Sequence, residues 1–179
     1  MMEHPGQFNT HQISIVNRAV ALAEEVVSNF YKMSASQWLR RKYDVKTLTD
    51  LAPEEIVQGP FAQIIRYEGR PKDSSLGSSN YDFYKICIQD HSILAAIESI
   101  AKLHLFPFLL YIISHELIHI VRFSRFIQHF DASYDEKQKE EHCVHQLTHE
   151  IILPIQVEGI DDVVHFYHQW LLPHESGTT

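Results

Sequence analysis

Residues 108–123 read FLLYIISHELIHIVRF, and this stretch gives the strongest indication of the fold. Its first seven residues are uncharged and mostly apolar on every side, which is typical of a helix at the centre of a core. Three ionisable side chains follow: His115, Glu116 and His119. Because an ionisable group is costly to bury unless it is paired or bound to a metal, these three residues are the first candidates for a functional site.

The spacing of the two histidines predicts a metal site. His115 and His119 are four residues apart, so both rings lie on one face of a helix and can bind one ion. Glu116 lies one position further round, where its carboxylate can reach a metal-bound water without being a ligand. Zinc lowers the pKa of such a water from about 15.7 towards 7, and a carboxylate can then accept its proton as it attacks a carbonyl. The alternative is a set of hydrogen-bonded core histidines, with Glu116 paired to Arg122 or Arg125.

A second predicted helix offers candidates for a third ligand, since a catalytic zinc usually has three protein ligands and one open position. This segment, residues 140–150, reads EEHCVHQLTHE. Glu140 and Glu141 both lie about one turn before Val144 on the expected buried face, and helix geometry alone allows either as a ligand. His145 follows Glu141 by one turn on the same side and is a candidate to stabilise an oxyanion. Tyr111, Tyr134 and His129 could also polarise a carbonyl, but each ranks below His145, and packing is the favoured role of Tyr111. The remaining histidines of this region are expected at the surface: His142, His149, His165 and His168.

Together, the HELIH motif and residues 141–154 resemble the ImmA/IrrE metallopeptidases, which are gluzincin-like proteins. In that family an HExxH helix is followed by a helix of the pattern E-x-x-A-x-x-F-A-x-E-L-L-x-P, and residues 141–154 align with it. The alignment puts Glu141 at the position of the third ligand. The resemblance implies a zincin-like fold in which His115, His119 and Glu141 bind zinc and Glu116 is the general base.

Hydrophobic periodicity along the rest of the chain predicts one α+β domain, with a small sheet packed beside the HExxH helix. Its expected parts are N-terminal helices in residues 1–60, strands in 61–90, metal-site helices in 92–153, a C-terminal helix in 155–173 and a disordered tail in 174–179. The strands are expected at Phe61–Tyr67 and Tyr81–Gln89. A helix is expected at Ser92–Phe106, broken by Pro107. The strand Tyr81–Gln89 has mixed faces, with Lys85 opposing Ile86, and it lies just upstream of the metal helix. We therefore expect it to be an edge strand beside the cleft, where an extended peptide could add to the sheet.

Composition excludes several classes of protein. The chain has 179 residues and a formal net charge of −8, which argues against nucleic acid as a partner. Its two cysteines make no disulfide framework, and the N-terminus lacks the pattern of a secretory signal, so we expect a cytoplasmic protein. The longest uncharged run, residues 103–115, is too short to span a bilayer. Composition gives no indication of the oligomeric state.

The sequence thus predicts a zinc-dependent peptidase that hydrolyses a peptide bond in a protein or peptide substrate. His115, His119 and Glu141 are the expected ligands, Glu116 the general base and His145 the group that stabilises the oxyanion. One alternative is a metal-binding interaction or regulatory module that keeps the site without catalysis. A second, a di-iron carboxylate protein, requires two E-x-x-H repeats. Glu116 and His119 form one such repeat, and the sequence contains no second one.

Overall fold

The structure is a computed structural model that describes residues 6–34, 36–37, 43–69, 81–125 and 127–168. Within these ranges it has five α-helices and one three-stranded sheet, which confirms the α+β class. The helices are α1 (Thr10–Tyr31), α2 (Asp90–Ser99), α3 (Leu105–Ser124), α4 (Tyr134–Ile152) and α5 (Ile160–His168). The strands are β1 (Tyr43–Lys46), β2 (Ala62–Gly69) and β3 (Tyr81–Ile88). Short 3-10 turns occupy Leu48–Asp50 and Pro53–Glu55.

Helix α3 forms the centre of the core, as its apolar composition predicts. Its residues Phe108, Leu109, Leu110 and Ile113 have no exposed surface. By length and composition α3 could also cross a membrane, but 78% of its apolar window is buried inside the protein, as in a core helix. Helix α1 packs along α3 with a stripe of small and branched residues, Val16, Ala19, Ala23 and Val27.

Capping residues set the beginnings of two helices. At α1 the cap is Asn9: its side chain accepts from the Gln12 N–H, while the Gln12 side chain accepts from the Asn9 N–H. Ser133 and Glu136 form the same reciprocal box at α4. Such a box satisfies two backbone donors that a helix end leaves without intrahelical partners. Helix α4 therefore begins at Tyr134.

The expected helix Ser92–Phe106 is wrong at its C-terminal end. Helix α2 ends at Ser99, and the following turn buries Leu103 before α3 begins. Pro107 is the third residue of α3 and does not break it. The reason is that the first-turn N–H groups of a helix have no intrahelical acceptor, so a proline there loses no hydrogen bond.

The sheet has the order β1-β3-β2, which overturns the prediction of β3 as an edge strand. β3 pairs with β1 in parallel and with β2 antiparallel. Because Lys85 is charged, the alternation of residues along β3 suggested that one face of the strand is exposed to solvent. This lysine is instead neutralised by Glu55, whose carboxylate lies 2.7 Å from the Lys85 Nζ and is only 4% exposed as a residue. β1, a strand of four residues within the region predicted to be helical, was not foreseen.

Helix α5 covers one end of the sheet and of α3. Phe166 and Tyr167 make ring contacts with Phe61, which precedes β2, and with Phe108 of α3. The turn into α5 uses Gly159 at φ +83°, where an added Cβ would lie 3.3 Å from the Pro107 side chain. Residues 169–179, including the end of the expected helix and the expected tail, lie outside the described part.

Candidate functional site

A cleft of about 1160 Å³ lies between β2, α3, α4 and α5. Its floor is the polar face of α3, where His115, Glu116 and His119 lie together. One wall is the beginning of β2, and the opposite wall is α4 with Glu141 and His145. Aromatic and aliphatic side chains line much of the rest: Phe61, Ile64, Ile112, Phe123, Phe130, Phe166 and Tyr167. A concave, largely apolar site with a few convergent polar groups is the usual form of a ligand or active site.

Three ligand-type side chains meet at the floor of this cleft. The Nε2 atoms of His115 and His119 are 3.1 Å apart. The Glu141 carboxylate faces both: Oε1 is 3.0 Å from the His119 Nε2, and Oε2 is 3.2 Å from the His115 Nε2. A tetrahedral zinc ion with bonds of about 2.0–2.1 Å separates its ligand atoms by about 3.3–3.4 Å. The donor set is the one that zinc prefers, and its spacings of 3.0–3.2 Å are slightly shorter than the tetrahedral value.

Glu140 and Glu141 are adjacent but have different partners. Glu141 faces the two histidines with its side chain 47% exposed, and hydrogen bonds from both rings outweigh burial and lower its pKa. Glu140 faces Arg122, which binds both carboxylate oxygens, and both side chains are largely buried. The pairing of Arg122 with Glu116, considered as an alternative above, is therefore absent. Arg125 instead donates to the Tyr31 carbonyl and lies over the Tyr31 ring.

Glu116 lines the cleft beside the two histidines and is partly exposed to it. Burial raises the pKa of its carboxyl, the positive character of His115 and His119 opposes this shift, and Glu141 adds to it. A general base works best when its pKa is close to the working pH. The raised pKa shifts the Glu116 carboxyl in the direction that general-base catalysis near neutral pH favours.

His145 is held from behind by Tyr111. The Tyr111 hydroxyl lies 2.8 Å from the His145 Nδ1, and the Tyr111 ring stacks on Tyr167 with centroids 4.0 Å apart and planes 8° apart. The His145 Nε2 faces the centre of the site, 3.9 Å from a Glu141 oxygen. Burial lowers the pKa of His145 to about 3, so its ring is neutral near neutral pH. From the sequence, Tyr111 is a candidate to polarise a carbonyl, with packing as its favoured role, because an apolar helix gives no sign of which hydroxyl has a partner.

The geometry leaves two possible ligand sets. One is the predicted set, His115, His119 and Glu141. The other replaces His119 by His145, since ligand atoms of His115, Glu141 and His145 lie within 4.8 Å of one another. In addition, the buried Nδ1 atoms of His115 and His119 have no hydrogen-bond partner in the part of the chain that the structure describes. Ligand histidines usually donate this N–H to an acceptor, so part of the customary outer support is missing.

Other residues considered from the sequence are less central. His129 and His142 line the cleft further from the floor, whereas Tyr134 is 76% exposed. His165 and His168 are exposed on α5, as expected. His149, expected at the surface, is buried with its ring against Tyr111.

Comparison of the chain with protein-family models, with curated proteins and with solved structures found no significant match.

Proposed function

We propose that the protein is a zinc-dependent peptidase with a zincin-like fold. One observation carries the proposal: the Glu141 carboxylate faces both histidines of the HELIH motif across 3.0–3.2 Å, on the floor of a cleft that Glu116 also lines. Three ligand groups of this type beside a carboxylate that is not needed as a ligand are the components of metal-assisted hydrolysis. His115, His119 and Glu141 would hold the ion.

The proposed roles of the other side chains follow from their positions. Zinc, when bound, supplies the Lewis acid that activates water and polarises the substrate carbonyl. Glu116 accepts a proton from the attacking water as the new carbon–oxygen bond forms. The same carboxyl then gives that proton to the amide nitrogen as the carbon–nitrogen bond breaks, so the base is regenerated. His145 donates a hydrogen bond to the carbonyl oxygen as negative charge develops on it.

The walls of the cleft favour an extended polypeptide as the substrate. Within the described residues β2 pairs on one side only, with β3, and residues 62–64 at its beginning line the cleft. An edge strand offers unpaired backbone N–H and C=O groups to an added strand. Because β3 is the central strand of the sheet, we propose β2 as the strand on which a substrate docks. The aromatic lining of the cleft suits apolar side chains of a peptide or protein substrate.

A library of proteome-derived peptides tests the proposed activity. Zinc-loaded wild type, Glu116→Gln and the control Glu150→Gln, which changes an exposed glutamate of α4, are incubated with it, and new termini are counted by mass spectrometry. Glutamine keeps the shape of Glu116 but cannot accept the proton. Loss of a general base costs about 10²–10⁴-fold, so Glu116→Gln should cut at least about 100-fold more slowly, and the control should match wild type. Equal cleavage patterns in wild type and Glu116→Gln would instead favour a metal-binding module without catalysis.

A further inference from the structure

The hydrogen bond between Tyr111 and His145 lies behind the proposed metal site. The surrounding residues determine which of the two groups donates the hydrogen. Tyr111 is on α3, one turn before His115, and only 1% of its surface is exposed. Its hydroxyl contacts the His145 Nδ1, and no other hydrogen bond of this hydroxyl is found among the described residues. The stacked Tyr167 ring covers the flat face of Tyr111 and holds it in place.

Two arrangements of the proton are conceivable for this pair. If the His145 Nδ1 carried the hydrogen and donated it, the phenolic hydrogen of Tyr111 would be buried without an acceptor in the described part of the chain. A buried donor without a partner loses its interaction with water and gains nothing in return. If Tyr111 donates instead, both groups are satisfied and the ring hydrogen of neutral His145 is on Nε2.

We propose that Tyr111 is a positioning residue that holds His145 in the Nε2–H tautomer, so that His145 acts as a hydrogen-bond donor in the cleft and not as a metal ligand. This inference rests on the proposed zinc site. A ring nitrogen that carries hydrogen has no lone pair for a metal. His115, His119 and Glu141 therefore remain the ligand set, and the second set, which includes His145, is disfavoured.

The consequence concerns the number of ligands at the site. Four protein ligands make a closed, structural zinc site, whereas a catalytic site keeps one position open. The cleft contains four candidate ligands: His115, His119, Glu141 and His145. The Tyr111 hydroxyl keeps the fourth from closing the site, and the His145 Nε2–H lies in the cleft with its nitrogen 3.9 Å from a Glu141 oxygen.

The tautomer is tested first in metal-free protein by NMR of ¹⁵N-labelled histidines. Wild type should show His145 with hydrogen on Nε2 and with Nδ1 as acceptor. Tyr111→Phe should lose the hydrogen-bonded signature of Nδ1. Tyr167→Phe, which removes a neighbouring buried hydroxyl from the same ring stack, should leave it unchanged. A wild-type His145 with hydrogen on Nδ1 overturns the proposal.

The coordination is tested with zinc alone, by counting imidazole ligands with X-ray absorption spectroscopy. Wild type should have two imidazoles and Tyr111→Phe three, with zinc dissociation at least about tenfold slower as the site closes. His145→Ala in the Tyr111→Phe background should return the count to two. Equal counts in wild type and Tyr111→Phe overturn the role of the hydroxyl. Failure of wild type to bind zinc would instead refute the proposed function, while the metal-free NMR measurement still tests the tautomer.

Discussion

Replacing Glu140 and Glu141 separately by alanine should produce two different defects, although the residues are adjacent on α4. Glu141 faces the two histidines with half of its side chain in solvent, and an exposed ion pair contributes only about 0–1 kcal/mol to folding. Its loss should therefore leave the stability of the metal-free protein nearly unchanged. Zinc affinity should fall by at least about 100-fold, because loss of even an outer-shell partner costs about 10–100-fold.

Glu140→Ala should have the opposite profile. The Glu140 and Arg122 side chains are 8% and 16% exposed, and removing one partner leaves a largely buried charge without its counterion. Breaking such a pair costs about 3–5 kcal/mol. For a chain of this size that corresponds to a fall in Tm of about 6–20 °C. Zinc affinity of the folded fraction should change by less than about tenfold, because Glu140 does not face the histidines.

Urea unfolding of the metal-free proteins and zinc competition with a chromogenic chelator separate these two effects. Glu150→Ala, on the exposed face of the same helix, is the control and should alter neither quantity. The reasoning fails if Glu140→Ala loses more zinc affinity than Glu141→Ala at a temperature where both are folded. It also fails if Glu141→Ala is the more destabilised of the two.

Three further predictions concern stability. The hydrogen bond from Lys85 lowers the pKa of Glu55 to about 2, so its stabilising contribution is complete above the unfolded value of about 4.3 and disappears as the pH falls towards 2. The difference in the free energy of unfolding between wild type and Glu55→Gln, measured in urea, should therefore shrink as the pH falls from about 4.3 to about 2. The corresponding difference for Glu54→Gln, which changes an exposed neighbour, is the control and should not shrink. Gly159→Ala should cost about 1–2 kcal/mol by urea unfolding, because the residue is left-handed and close to Pro107. Zinc at about 100 times its Kd should stabilise the protein by about 2.7 kcal/mol, and a chelator should reverse the rise in Tm.

Local patterns were sufficient for the parts of the site that lie on single helices. The i, i+4 histidines appear on a buried helix as predicted, and Glu141 faces them as the family register implies. Glu140 and Glu141 could not be separated by helix geometry, because both do point inward. Glu140 is distinguished only by Arg122, which lies on a different helix and forms an ion pair with it.

Long-range pairing explains what the sequence did not predict. The four residues of β1 carry too little pattern to be recognised, and their parallel pairing with β3 joins segments about 40 residues apart. Lys85 made β3 look half-exposed, because its partner Glu55 lies on a distant turn. Packing was the favoured role of Tyr111, because its hydroxyl gains a hydrogen-bond partner only when α4 brings His145 to it.

Anomalous scattering from a zinc-bound crystal, measured at the zinc absorption edge, locates the bound ion and identifies its ligands. We predict one peak in the cleft, bonded to the His115 and His119 Nε2 atoms and to Glu141 at about 2.0–2.2 Å, with the His145 Nε2 beyond bonding distance. A cleft without a peak at saturating zinc would contradict the account. So would a peak held by His115, Glu141 and His145 with His119 excluded.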